Sequence, residues 1–368
     1  MKLKIVKDEL QNVLNHAINF TSTKNINSIL QNILLEAEGD KLTIKASNIH
    51  TAYTAEIDAV IENTGITTVP CKKLLDIVKE LPNSAVIDIS FDGHKLKIKS
   101  GKSSFNLSTL NPELFPTIGE IVPEYFIEIP SEKLQAILKK VYFCISNDTS
   151  KIEYSGCHFK AYGNKLEAAA ADYQRIAIAH TEFEEEFSDE FLINIPKRTI
   201  IEVIKIIDGN ETVTIETDKK QIVFKIGKTQ IYSKLIEKYI KSIASLFNAE
   251  YPTTAKLPKN EFIDVLKRVS SITSEITHGV VLSFSNGKLS VYSLETEYGL
   301  GHDFIENLEF SGEDLDIIFN SKQLIEILSA VDTDFVELKM NGRKSPALIV
   351  PQDNWYKYLV VPLTIEQF

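Results

Sequence analysis

Six stretches of the chain carry apolar residues at i, i+3, i+4 and i+7, the spacing that puts them on one face of a helix. They are Leu10, Val13, Leu14, Ala17; Leu74, Ile77, Val78, Leu81; Leu134, Ile137, Leu138, Val141; Ile200, Val203, Ile204, Ile207; Phe262, Val265, Leu266, Val269; and Leu324, Ile327, Leu328, Val331. Stripes one, three and five start 124 and 128 residues apart, and stripes two, four and six 126 and 124 apart. Within each pair the second lags the first by 64, 66 and 62 residues. A unit of about one domain's length therefore occurs three times, and each unit is nearly duplicated inside itself.

Between the stripes the period drops to two, the signature of half-buried strands. In the first repeat the expected strands are Leu3–Val6, Asn32–Glu38, Lys41–Ala46, Tyr53–Ile61, Val86–Phe91, Lys95–Lys99 and Ser104–Thr109. Gly39-Asp40, Asp92-Gly93 and Ser100-Gly101 supply tight turns. The second repeat opens with Tyr125–Ile129 and a helix that Ser131 is placed to cap. Strands follow on either side of Gly163-Asn164, then at Thr212–Thr217, Gln221–Ile226 and Gln230–Leu235. The third has Thr254–Leu257, then Val280–Ser285 and Lys288–Ser293 around Asn286-Gly287, and Leu348–Val350 and Lys357–Val361 near its end. Pro112, Pro116 and Pro123 mark a linker between the first two repeats. Helices alternating with groups of antiparallel strands predict an α+β architecture of three repeated domains, 1–122, 123–250 and 251–368.

Composition adds bounds. The chain has 368 residues with 25% charged side chains and no apolar run near the ~20 residues of a membrane span. Three scattered cysteines, Cys71, Cys144 and Cys157, without a CxxC pair, point to reduced, buried thiols in the cytoplasm. A net charge of −11 argues, as an average, against nucleic acid. The six helix segments, however, carry +4 together, which leaves −15 for everything else. Helices gathered on one side would make that side attractive to phosphate.

Nothing in the sequence assembles a catalytic centre. The seven histidines are far apart, with no HxH or HExxH, and there is no phosphate-binding glycine loop and no GxSxG. Cys157 and His158 are neighbours on a strand and so point to opposite faces. Asp172 near Arg175 reads as a surface pair. No metal or other cofactor is expected. The acidic run Glu182–Glu190 reads as a solvated loop.

The order and spacing of several short segments resemble the bacterial DNA polymerase III beta subunit, the sliding-clamp family, across the whole chain. These are Ile29–Leu35, Thr67–Lys73, Phe105–Leu110 with Phe115-Pro116, Asp172–Ala177, Ile195–Arg198, Ser345–Ile349 and Leu359–Leu363. The resemblance implies the DNA-clamp fold, with helices inside a ring and antiparallel sheets outside. It implies a head-to-tail homodimer around duplex DNA that does no chemistry and tethers a polymerase. Partners would be the polymerase III catalytic subunit, the clamp loader and repair polymerases, each docking a short peptide motif. Two other readings stay open: a three-domain protein-interaction scaffold without DNA, and an enzyme whose site the sequence hides.

Carried over by position, the resemblance places phosphate contacts at Lys24, Lys72, Lys73, Lys79, Lys197, Arg198 and Lys205. It places a peptide groove at Tyr154, Ala171, Tyr173, Gln174, Arg175, Ile176, Leu246, Ser345, Val361, Pro362 and Leu363. The dimer contact would use Phe105 and Leu107 against Ile272. The chain departs from the family's pattern in three places. The family's Thr-Asp-Gly-His-Arg-Leu run reads Ala171-Asp172-Tyr173-Gln174-Arg175-Ile176, Tyr239–Leu246 lacks a proline, and Ile365–Phe368 extends past the usual end.

Overall fold

Each of the six helices grows out of a strand without an intervening loop. In the computed structural model, which describes all residues except 23–27, 118, 120, 210, 241–242 and 365–368, the helices are α1 (Lys7–Ala17), α2 (Cys71–Glu80), α3 (Ser131–Val141), α4 (Lys197–Ile206), α5 (Lys259–Ser270) and α6 (Ser321–Ser329). Four of them follow a proline that closes the preceding strand: Pro70, Pro130, Pro196 and Pro258. Proline fixes φ near −65° and keeps the residue before it extended, so the helix cannot creep back into the strand. The predicted stripes are the buried faces, with only Ile77 and Ile204 partly exposed. Ser131 does not cap α3 from outside. It is the first helical residue, and its Oγ accepts the N–H of Glu211 at 3.2 Å.

The chain folds into two units that cut across the sequence repeats: Met1–Gln135 with Arg198–Leu235, and Ala136–Lys197 with Ile236–Phe368. Unit one holds a five-stranded sheet, in the order Val60–Asn63, Lys2–Val6, Val86–Phe91, Lys95–Ser100, Ser103–Ser108. Its eight-stranded sheet runs Tyr125–Pro130, Thr212–Thr217, Gln221–Ile226, Thr229–Lys234, Thr51–Asp58, Lys41–Ser47, Asn32–Glu38, Gly65–Pro70. Unit two holds a nine-stranded sheet: Phe191–Pro196, Gly156–Tyr162, Lys165–Ala171, Arg175–Glu182, Tyr356–Val360, Ala347–Pro351, Phe335–Met340, Thr253–Pro258, Glu309–Ser311. Its four-stranded sheet runs His302–Ile305, Lys288–Ser293, Gly279–Ser285, Leu315–Asn320. The expected strand Tyr53–Ile61 is two strands. Ala59 breaks it, giving its N–H to Asp40 at 2.9 Å, and the chain turns a corner from the eight-stranded sheet into the five-stranded one.

In each unit one antiparallel seam joins strands from two repeats. Thr51–Asp58 pairs with Thr229–Lys234, setting Tyr53 opposite Ile231, and Arg175–Glu182 pairs with Tyr356–Val360, setting Ile176 opposite Leu359. The turns at the ends of these seams are copies of each other. Asn48 Oδ1 accepts the N–H groups of His50 (3.1 Å) and Thr51 (2.9 Å), and the His50 carbonyl accepts the Lys234 N–H at 2.9 Å. Asp172 Oδ1 accepts the N–H groups of Gln174 (2.8 Å) and Arg175 (2.7 Å), and the Gln174 carbonyl accepts the Val361 N–H at 2.8 Å. The internal duplication thus extends to single hydrogen bonds.

Candidate partner groove and helix faces

The floor of the candidate groove follows from strand alternation. Ile176 and Ile178 share one face of their strand. Ala171 and Ala169 stand opposite them on one side, Leu359 stands opposite Ile176 on the other, and Leu348 follows next in register. The short 3-10 helix Ile243–Phe247 lays Ile243 and Phe247 over part of this face. Ile176 remains half-buried, and Val361 and Leu246 are exposed at 37% and 49%. Beyond the sheet, Pro362 is buried, and Leu363 gives its N–H to the Ile318 carbonyl at 2.8 Å. Ser345 is half-buried in the turn leading into Ala347–Pro351, at the end of the sheet where Val361 leaves it.

The rim is the turn 172–174. Tyr173 stacks on Tyr154 with ring centroids 5.4 Å apart, its hydroxyl lies 3.3 Å from Asp148 Oδ2, and the Lys151 ammonium sits 4.8 Å from its ring. The side-chain amide of Gln174 pairs with that of Gln323 on α6.

Arg175, expected to line the trough, points the other way, as a neighbour of Ile176 on a strand must. Its guanidinium donates to Asp172 Oδ2 (3.0 and 3.2 Å), to Glu326 on α6, and to the Phe143 carbonyl (3.4 Å). Only 8% of the residue is exposed, so the Asp172–Arg175 pair is an interior clamp and not the surface pair its spacing suggested. Burial of Cys144 nearby pushes its thiol far above the ordinary range. Leu359, Ile178, Phe247 and Gln323 lie on the same floor and rim and were not among the sequence-derived candidates, whereas Glu326 sits with Arg175 on the other side. The first two were legible, each lying two residues from a named one along its strand. Phe247 and Gln323 reach the site only through tertiary packing.

Among the cationic side chains, Lys72, Lys73 and Lys79 on α2 and Arg198 on α4 are exposed. Lys205 is exposed and paired with the buried Glu202 at 2.9 Å, and Glu202 also accepts from Asn19 at 3.0 Å. Lys197 is committed elsewhere: its ammonium donates to the Ile145 carbonyl (2.6 Å) and Asn147 Oδ1 (2.8 Å), and burial lowers its pKa. Lys24 and Ile365–Phe368 lie outside the described residues.

Two sheet edges complete the picture. Ser103–Ser108 is the outermost strand of its sheet in unit one, with Phe105 and Leu107 half-buried opposite the buried Ile98 and Leu96. In unit two Ile272, also half-buried, packs beside Gly301, where a Cβ would come within 2.8 Å of Ile272 Cγ2. The edge strand His302–Ile305 follows.

Among the described residues there is no group of three histidine, cysteine or acidic side chains placed to hold a metal. Nor is any helix long and apolar enough to cross a membrane.

Three family models match in succession: the DNA polymerase III beta subunit N-terminal domain over residues 1–119, its central domain over 128–239 and its C-terminal domain over 244–364. The chain belongs to the DNA polymerase III beta subunit family. The beta sliding clamp of Caulobacter vibrioides is 27% identical over 373 residues, covering 99% of this chain and 100% of that one. That of Staphylococcus epidermidis is 26% identical over 364 residues, 96% of each. Among solved structures, the Pseudomonas aeruginosa DnaN sliding clamp bound to griselimycin superposes with a TM-score of 0.94 at 24% identity, over 99% of this chain and 100% of that one. The C. crescentus beta sliding clamp gives 0.92 at 27%, over the same shares. As a beta subunit the chain is a processivity factor for DNA polymerase III and not a catalyst. The three-repeat α+β organisation is that of the sliding clamps.

Proposed function

We propose that two copies of the chain close head to tail into a ring around duplex DNA, tether the polymerase III catalytic subunit, and present the groove around Ile176 to partner peptides. The clamp loader and repair polymerases would use the same groove, and the ring would work in the cytoplasm. The repeats 1–122, 123–250 and 251–368 would be the clamp domains. The observation that carries this reading is a complementary pair of open sheet edges, one per unit. Ser103–Ser108 presents Phe105 and Leu107 beside a row of exposed lysines, Lys95, Lys97, Lys99 and Lys102. The edge His302–Ile305 follows Gly301, against which Ile272 packs, and carries the exposed Phe304, while Tyr298 and Leu300 are exposed in the connection before it together with Glu295 and Glu297. Apolar edges need covering, and a contact between two different surfaces closes only if its rotation does. Exposed cations on α2 and α4 would meet phosphates, which position the duplex without reading sequence.

The test is retention. Loaded by a clamp loader, the protein should stay on closed circular DNA and leave once the circle is cut. A sedimentation profile of a monomer at micromolar concentration, or equal retention on linear and circular DNA, would overturn the proposal.

A further inference from the structure

The rim of the groove carries chemistry that its apolar floor does not need. Tyr154, on the short 3-10 helix Ile152–Tyr154, and Tyr173, on the turn between two sheet strands, stack at 27° with 45% of Tyr173 still exposed. Lys151, itself exposed, holds its ammonium over the Tyr173 ring. The neighbouring carboxylates are already engaged. Asp148 accepts from the Ser150 N–H (2.8 Å), the Ser150 hydroxyl (2.9 Å) and Tyr173, and Asp172 is held by Arg175 and its own turn. The stack is fixed beside the floor, because the next residue, Gln174, takes the Val361 N–H through its carbonyl. The shelf thus stands at the end of the floor formed by Ile176 and Val361.

We propose that Tyr154, Tyr173 and Lys151 form a selectivity shelf favouring partner peptides that carry a carboxylate directly beside their apolar anchor residues. The inference rests on the groove reading above. A flat aromatic pair gives a rigid apolar contact at little entropic cost. An ammonium held over one ring gives that contact a sign, attracting a carboxylate and repelling a cation. Asp148, whose carboxylate interacts with the Lys151 charge, sits on the Tyr173 hydroxyl, while the Lys151 ammonium lies over the Tyr173 ring.

The test uses fluorescently labelled nonapeptides sharing one core of two leucines and a phenylalanine. Each has aspartate, asparagine or lysine placed just before or just after the core. On the unaltered protein, at one of the two flanks, aspartate should bind about three- to five-fold more tightly than lysine, the size of one exposed ion pair. Raising the salt should compress that ratio. Lys151→Gln should bring it below two-fold while leaving asparagine-peptide affinity within two-fold. Tyr173→Phe should keep the preference and Tyr173→Gly should lose it. An aspartate preference that survives Lys151→Gln, or no preference at either flank, overturns the shelf. Ile176→Asp separates the two ideas. If it weakens all the peptides ten-fold or more the groove stands whatever the flanks show, and if it binds as the unaltered protein does, groove and shelf fall together.

Discussion

Two single residues carry a strain or a burial whose cost is measurable. Ile49 sits at φ 78° at the tip of the turn that Asn48 closes, with 54% of its surface exposed. A β-branched residue in the left-handed region loses about 1–2 kcal/mol, and here little burial offsets it. Ile49→Asn should raise the unfolding free energy by about 1 kcal/mol in urea titrations. His158 is 2% exposed, and its Nε2 accepts the Ile240 N–H at 3.0 Å, so the ring must be neutral in the folded protein. Burial lowers its pKa to about 4. Between that value and the ordinary ~6.5 the unfolded chain binds the extra proton, so this contribution to stability is whole above pH ~6.5 and fades as the pH falls to 4. It amounts to about 3 kcal/mol. Over that range His158→Gln should lose less stability than the unaltered protein. Equal slopes would remove His158 from the account.

At the scale of elements, the helices were legible because each one's partner surface is written in its own residues, the stripe at 3.6-residue spacing. The seams were not. That Arg175–Glu182 lies against Tyr356–Val360 depends on residues some 180 positions apart, and no local pattern encodes such a pairing. The direction in which Arg175 points rests on a local rule instead. Motif position put it beside Ile176 in the trough, whereas the two-residue period of a strand sends it to the opposite face. It follows that Arg175 acts as a clamp between the rim turn and α6. Arg175→Met should destabilise unit two by about 3 kcal/mol, since it strips a mostly buried charge partner from Asp172, while Ile176→Asp, at a half-exposed position, should cost less, about 1 kcal/mol. On peptide affinity the order should reverse, with Ile176→Asp weakening binding ten- to a hundred-fold through lost apolar burial of about 1.5–3 kcal/mol. Thermal melts paired with fluorescence polarisation would read both.

For the whole molecule, the charge sorted onto helices becomes a prediction about residence on DNA. Reversing Lys72, Lys73 and Arg198 to glutamate should shorten retention on circular DNA at least ten-fold, and retention should then fall less steeply with added salt than in the unaltered protein, because fewer phosphate contacts release fewer counterions. Reversing Lys197 as well should add little at the DNA and should instead loosen the 145–147 segment that its ammonium holds. Unchanged retention in the triple variant would move the DNA contacts to other surfaces.

The seams between repeats also set a timetable. Thr51–Asp58 cannot find its partner until Thr229–Lys234 has been made, about 170 residues later, and Arg175–Glu182 waits a similar length for Tyr356–Val360. At roughly 5–20 residues per second, each edge stands open for on the order of ten to thirty seconds during synthesis. Unit one cannot close while the ribosome is still building the first part of unit two. A nascent chain of this kind carries two unsatisfied β-edges in succession, so its yield in the cell should depend on how quickly the ribosome moves and on what shelters those edges meanwhile.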